Sequence, residues 1–598
     1  MRFTNPLNFF KPKNLSAEDV DKQLVLGLLK KRWPNLKQFK YFPKFLSRQE
    51  KIILASAALV FLATFGWLGF NLYERHLKIS PDFGGEYIEG MVGAPQYINP
   101  IYASLNSVDA SLSRLVYASL FRRAADGRLV NDLVAEEEIS ADGKTYTFEL
   151  TNKAHFATGD SVTVDDVVFT FNTIKEAQYR SPLRVNFQGV NIEKVDDNKL
   201  RFVLDEPYAP FKELLTFGIL PQSLWQDISP AGMPLAELNL KPIGSGPYQF
   251  GSLIKDKNGN IKSYTLIVNP KYHLNEPYLE KITVRFYVTE EEAIEALNNG
   301  KVDGLSYLPW NLQSNIAAAN SLNLHPLALP QYTAAFFNLN LPDDRLSKVK
   351  FRQALSLATD KSLLNKEIFN DQATLLTGPI LPNNPAYIAN EKNQAYNPDE
   401  AKKILNELGW LPGAADAEGK IWLTKNNTVL SLTISTPNVA ELVAAGQNLQ
   451  NQWEKIGLKT NLEILDSTEL AGVIQARSFS VLLNNVAVGL DADPFPLWHS
   501  SQATGEGYNL SGYKNSQADK LLGQARTESD SNKRYALYGE FQKLIADDYP
   551  AIFLFSQPYV YPQNKSLKGF GAKIVASPED RFWDVLNWHV KEDRKLNF

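Results

Sequence analysis

Cysteine is absent from all 598 residues. That excludes thiol catalysis, disulfides, thiolate-bound zinc, iron–sulfur clusters and a lipid-modified cysteine anchor. Histidine is scarce. His76, His155, His273, His325, His499 and His589 are scattered, and none stands three or four residues from another, so no helical zinc motif exists. No phosphate loop, dinucleotide fingerprint, internal repeat or low-complexity run is present. Gly244-Ser245-Gly246 resembles a nucleophile turn only superficially, because Pro242 stands where its first glycine belongs. Basic charge is also short over most of the chain. Residues 1–51 hold 12 Lys/Arg against 4 Asp/Glu, which leaves 50 against 62 for the rest. An acidic body of that size argues against binding to nucleic acid, whose phosphates require a basic face.

What is present begins with Ile52–Tyr73, IILASAALVFLATFGWLGFNLY, an uncharged run long enough to cross a bilayer. The bulky residues at its end do not suit a signal-peptidase site, so an uncleaved anchor is expected rather than a cleaved leader. The basic flank precedes the span. The positive-inside rule therefore puts residues 1–51 in the cytoplasm and the acidic body outside. Within the tail, Ser16 and Asp19 have capping-box-like spacing before Val20, Leu24, Val25 and Leu28. A short amphipathic helix on anionic lipid and a solvated basic stub are both compatible with that pattern.

The body reads as mixed α and β. Asp142-Gly143 and Asn258-Gly259 mark hairpin turns beside alternating segments. Thr289 with Glu292 is expected to form a capping box opening the helix at Ala293–Leu297, and Asn397-Pro398-Asp399-Glu400 opens a helix that Gly409 ends. Thr163 before Asp165-Asp166 is another helix start. Glu136–Glu138 is a solvated charge run. Over 429–465, Leu430, Leu432 and Ile434 alternate, Asn438 and Glu441 could cap a helix through Lys455, Gly457 ends it, and Leu458, Thr460, Leu462 and Ile464 alternate again. That spacing predicts a βαβ unit and a parallel strand pair. The 25 Tyr and 10 Trp suffice to line a concave site besides filling cores.

Several stretches then fall in one order: Pro95-Gln96-Tyr97-Ile98-Asn99-Pro100-Ile101-Tyr102, Asp126-Gly127-Arg128, the run Ala154–Phe169, Pro242-Ile243-Gly244-Ser245-Gly246-Pro247-Tyr248, Phe337-Asn338-Leu339-Asn340, Val349–Leu355, Tyr508–Tyr513 and Asp548–Phe555. Together they resemble the family 5 extracellular solute-binding proteins, the oligopeptide, dipeptide and nickel receptors of ATP-driven importers, over residues 82–598. The resemblance implies an α/β, two-lobed periplasmic-binding-protein-like fold, with mixed sheets flanked by helices and a hinge between lobes, preceded here by one transmembrane helix. It implies a first lobe over 82–335, a second over 336–557 and a return segment over 558–598. The implied function is non-enzymatic. A peptide is captured between the lobes and passed to the permease of an ATP-binding-cassette importer, by a monomer without cofactor or resident metal. The alternatives are a non-peptide solute, such as an oligosaccharide, a nickel chelate or an amino acid derivative, and a tethered sensor or scaffold.

The resemblance also directs attention to Gly489–Ser500, GLDADPFPLWHS. Peptide-binding relatives place an Asp four residues before the Pro of an acidic-Pro pair, after a Trp that packs on the ligand. Here the position four before Pro494 is Leu490, Asp491 lies one later, and no Trp stands near Ala487. The amine anchor is shifted onto Asp491 or lost. Asp493 reads more readily as a turn residue. Tyr97, Asn99 and Tyr102 are further candidates because that segment borders the cleft in relatives. Phe337 and Asn338 would lie near the hinge, and Asn484 precedes the Asp segment. For each of these, core packing or strand capping is an equal reading.

Overall fold

The computed structural model describes residues 44–596, except 45, 125, 318, 344, 390–395, 492 and 506. The tail helix considered at Ser16–Leu28 lies outside the described residues. Contacts divide the chain into two units.

The smaller unit is built on a helix, Arg48–His76, longer at both ends than the apolar run alone. It starts with a reciprocal cap: the Ser47 N–H donates to the Glu50 carboxylate at 2.7 Å, and the Glu50 N–H donates to the Ser47 hydroxyl at 3.3 Å. Within Arg48–Asn71 an 18-residue window has a mean hydropathy of 2.1, and none of that window is buried against protein. Apolar residues on every face with nothing packed on them are what lipid accepts and water does not. The strand Leu77–Asp82 follows and pairs with Lys591–Leu596.

The larger unit, 81–591, contains two sheet-centred lobes. The first holds a seven-stranded mixed sheet whose central strand, Glu86–Val92, runs parallel to both Lys281–Tyr287 and Gly304–Leu305. A four-stranded antiparallel sheet over 134–204, whose last strand lies between the second and third, packs into the same core. Its strand Thr145–Leu150 buries Tyr146, Phe148 and Leu150 and turns the intervening residues outward, the period-2 pattern of a half-buried strand. Asp142-Gly143 makes the expected turn, with Gly143 at φ +66°. Thr163 and Asp166 form a full capping box on Val164–Lys175, and Asp166 also accepts from the Gln222 N–H at 2.7 Å. Gly244 and Gly246 lie against the Val116 carbonyl, which a Cβ on Gly244 would meet at 2.1 Å. The PIGSGPY stretch is therefore a close backbone approach, with Ser245 wholly buried.

The second lobe holds a six-stranded sheet. The predicted βαβ unit is present as Ser431–Pro437, Ala440–Glu454 and Lys459–Leu465, with Ser431 opposite Lys459 in parallel register. Its helix start differs from expectation. Val439 is the N-cap and no side chain caps it; the Asn438 N–H donates to the Leu465 carbonyl at 2.9 Å. Thr289 likewise caps its helix through the Glu292 N–H, but the Glu292 carboxylate returns to the Val288 N–H rather than closing the box on Thr289.

The chain crosses between the lobes at 328–330 and at 557–558, between strands of the two sheets. Gln331–Phe337 pairs along its whole length with Val481–Ala487 in the second sheet, so the first crossing precedes residue 335. Beside the second, Tyr307 stacks on Tyr559 with ring centroids 5.6 Å apart.

Candidate functional site

A cavity of about 1100 Å³ lies between the lobes. The first lobe supplies Arg114, Arg123, Tyr208 and Glu213 to its wall, and the segment after the second crossing adds Glu579 and Asp580. The second lobe contributes Asp491, Asp493, Phe495 and Arg526. The volume slightly exceeds the roughly 300–1,000 Å³ of ordinary small-molecule clefts.

Asp491 and Asp493 face the cavity, each tied to an arginine of the second lobe. The Arg534 Nη2 reaches Asp491 at 3.3 Å, a long single contact. Arg534 lies on the buried stripe of Ser531–Asp548, in line with Tyr538, Phe541 and Ile545. Burial raises the Asp491 pKa, with Asp493 adding to the rise, while Arg534 and Arg123 oppose it. Asp493 is held more firmly. It accepts from the Arg526 Nε and Nη2, each at 2.8 Å, and from the Phe495 N–H at 3.2 Å, where the chain turns into Phe495–Trp498. The turn role and the cavity position thus coexist.

Arg526 joins the lobes. Its guanidinium lies 4.0 Å from the Phe495 ring centroid and 5.3 Å from that of Tyr208 across the cleft. Its carbonyl accepts from the Ala209 N–H at 3.0 Å. On the opposite wall Arg123 pairs with Glu213, and the Arg114 Nη2 pairs with Asp580 at 2.9 Å. Asp580 is fixed from behind by Ser577, whose N–H and hydroxyl donate to its Oδ2 at 3.0 and 3.1 Å. The next residue, Arg581, is wholly buried with Glu89, which also accepts from the Tyr561 hydroxyl, while the Arg581 Nη1 donates to Ser111. Removing one partner of such a pair costs about 3–5 kcal/mol, so this wall is rigid.

The other candidates lie elsewhere. Tyr97 and Tyr102 line a separate cavity of about 900 Å³ beside Tyr179, their own rings 5.8 Å apart. Burial pushes the Tyr102 phenol up to about 12. Asn99 is wholly buried; its Oδ1 accepts from the Ile101 N–H and its Nδ2 donates to Asn239, so it shapes the turn rather than the cleft. Phe337 is core in the second lobe. Asn338 is buried and spends its amide on the Arg477 and Phe479 carbonyls. Asn484 sits opposite Ala334 within the sheet and outside the cavity wall. Among the described residues no group of three or more His, Asp and Glu is placed to hold a metal ion.

The arginines of the site and Tyr208 escaped the reading of the sequence. One signal was available for Arg534, a cation on an apolar helical stripe, which demands a buried partner. Arg123, Tyr208 and Arg526 meet only through tertiary folding and carry no local mark.

Two sheet-centred lobes, crossed twice by the chain and closed around a charged cavity, are the architecture of a solute-binding receptor. The model for "Bacterial extracellular solute-binding proteins, family 5 Middle" matches residues 128–508, and the chain belongs to that family. It is 26% identical over 567 residues to the oligopeptide-binding protein AppA of Bacillus subtilis, covering 92% of this chain and 98% of the relative. It is 26% identical over 505 residues to the dipeptide-binding protein of Escherichia coli, covering 80% and 90%. Among solved structures, the ABC transporter substrate binding protein CtaP of Listeria monocytogenes superposes with a TM-score of 0.72 at 27% identity, over 85% of this chain and 100% of that one. NikZ of Campylobacter jejuni, in complex with Ni(L-His), gives 0.67 at 25% identity, over 84% and 99%.

Proposed function

We propose that this protein is a membrane-tethered extracytoplasmic receptor that captures peptides between its lobes and delivers them to an ATP-driven importer. In this reading the basic tail, 1–51, is cytoplasmic, the helix is an uncleaved anchor, and the lobes divide at 328–330 and 557–558. The receptor acts by binding and closure, without turnover. A ligand that touches both lobes only when they are together favours the closed state by that difference in contacts.

The observation that carries the reading is Asp491, a half-buried carboxylate on the cavity wall with one long arginine contact. Its remaining acceptor capacity suits an ammonium group, and a charge-assisted hydrogen bond is strong where water is excluded. The names of the relatives agree with peptides as the solute class. A non-peptide solute on the same fold is favoured by one fact: Arg534 already pairs with Asp491, so the carboxylate is not wholly dependent on a ligand.

Native mass spectrometry of the full chain, purified in detergent without refolding, tests the proposal. Extra mass that is released on denaturation and sequences as peptides supports it. A single non-peptide mass would replace peptide by another solute. A chain that is empty, and whose melting temperature no peptide library moves, would favour a sensor or scaffold. In the peptide case, Asp491→Asn weakens a free-amine peptide about tenfold or more and leaves its N-acetylated form nearly unchanged. Equal loss for both would remove Asp491 as the anchor.

A further inference from the structure

The cavity wall carries an uneven set of charges. Among the described residues, seven carboxylates line it against three guanidiniums, with no lysine and no histidine. The arginines are already committed. Arg123 pairs with Glu213, Arg114 with Asp580 and Arg526 with Asp493, while Arg534 reaches in to Asp491. Arg114 spends a second nitrogen on the Thr216 carbonyl, and its Nε is buried away from water. Each guanidinium at this wall is therefore already paired with a carboxylate.

Three carboxylates remain. Asp205 and Glu206 are exposed, and Glu206 has Lys144 at 3.6 Å. Glu579 differs from both. It is half-buried and next to Asp580, and among the described residues no cation lies within pairing distance of it. Its neighbour Asp580 is fixed by Arg114, and Arg581 is locked to Glu89 behind the wall, so neither of those arginines can turn to it. A carboxylate on a cavity wall with no counter-charge of its own attracts a cationic group.

We infer that Glu579 selects a ligand with a second cationic group, a lysine- or arginine-like side chain, in addition to the ammonium group received by Asp491. This rests on the peptide reading above and narrows it to basic peptides. Asp491 belongs to the second lobe and Glu579 to the wall of the first, so a doubly cationic ligand engages both lobes at once. Charge selection and closure are then one event. An acidic side chain at the same place would face Glu579 and Asp580, where the nearby guanidiniums are already paired with carboxylates.

The test uses the full chain in detergent and alanine-based peptides of three to nine residues. Each peptide carries one lysine, one norleucine or one glutamate, moved through successive positions, and binding is measured by calorimetry. Norleucine keeps the length of lysine's stem without its charge. At one position lysine should bind about tenfold tighter than norleucine, and glutamate weaker than both. Glu579→Gln should abolish the lysine advantage, and an unchanged thermal melt shows that the variant is folded. Equal binding of lysine and norleucine at every position overturns the inference and leaves the peptide reading standing. So does a lysine preference that survives in Glu579→Gln. Failure of every peptide to bind would overturn the peptide reading itself, and this inference with it.

Discussion

At the scale of single residues, Asp491 shows how a carboxylate is made both available and sensitive. Burial raises its pKa above the ordinary aspartate value of about 3.9. Two consequences of opposite sign follow. The folded chain holds the proton more tightly than the unfolded chain does, so protonation of Asp491 adds stability as the pH falls through its raised folded value. The same protonation removes the charge that an ammonium needs. Affinity for a free-amine peptide should therefore be full at neutral pH and decline on acidification before an ordinary carboxylate would titrate. The N-acetylated peptide should show a flatter profile, and Asp491→Asn should remove the difference between the two. Calorimetry from pH 7 down to about pH 4.5 measures it. Parallel profiles for the two peptides in the native chain would assign the titration to another group.

At the scale of elements, the lobes meet in more than one place, and one of them is a small contact built from three chain segments. The turn at Tyr208-Ala209, the short helix Phe495–Trp498 and the end of Ser516–Thr527 come together on Arg526. A cation–π contact of this kind contributes about 0.5–2 kcal/mol, enough to shift a two-state equilibrium severalfold. Tyr208→Ala leaves the Arg526–Asp493 pair and the fold of each lobe in place. It should shift the ligand-free population towards open lobes and weaken ligand binding severalfold. The cysteine-free chain makes the measurement direct, because Leu235→Cys and Lys543→Cys put one dye on each lobe for energy-transfer distances. An unchanged distance distribution would show that the contact does not hold the lobes. This element-level contact marks the limit of the sequence reading. Segments with their own period and punctuation were legible: the βαβ unit at 431–465, the Gly143 turn and the Thr163 cap. The family motifs gave the two-lobed fold. Asn99 and Asn338 sit in family motifs, yet the structure spends them on backbone groups, because a motif marks a position without saying which way the side chain faces. Arg123 and Arg526 were invisible because their meaning lies in partners far along the chain.

At the scale of the whole molecule, charge and hydropathy are distributed as a tethered receptor needs them. Twelve cations precede the apolar helix, and an acidic body follows it. The 24 residues Arg48–Asn71 span about 36 Å as a helix, against roughly 30 Å of hydrocarbon. Tethering would confine the receptor near its membrane partner and raise the effective concentration for handover, which a freely diffusing receptor must achieve by abundance. It requires that the helix is retained and that the basic end stays in the cytoplasm. Both are measurable on one chain. Intact mass should include residue 1, and the protein should resist extraction from membranes by alkaline carbonate. In spheroplasts, Leu235→Cys, on a position 86% exposed, should react with a membrane-impermeant maleimide. Ser16→Cys should react only after the membrane is opened. A mature chain that begins beyond the helix and washes off the membrane would make the helix a cleaved leader. Labelling of Ser16→Cys in sealed cells would reverse the orientation, and the acidic cavity would then face solutes on the wrong side for import.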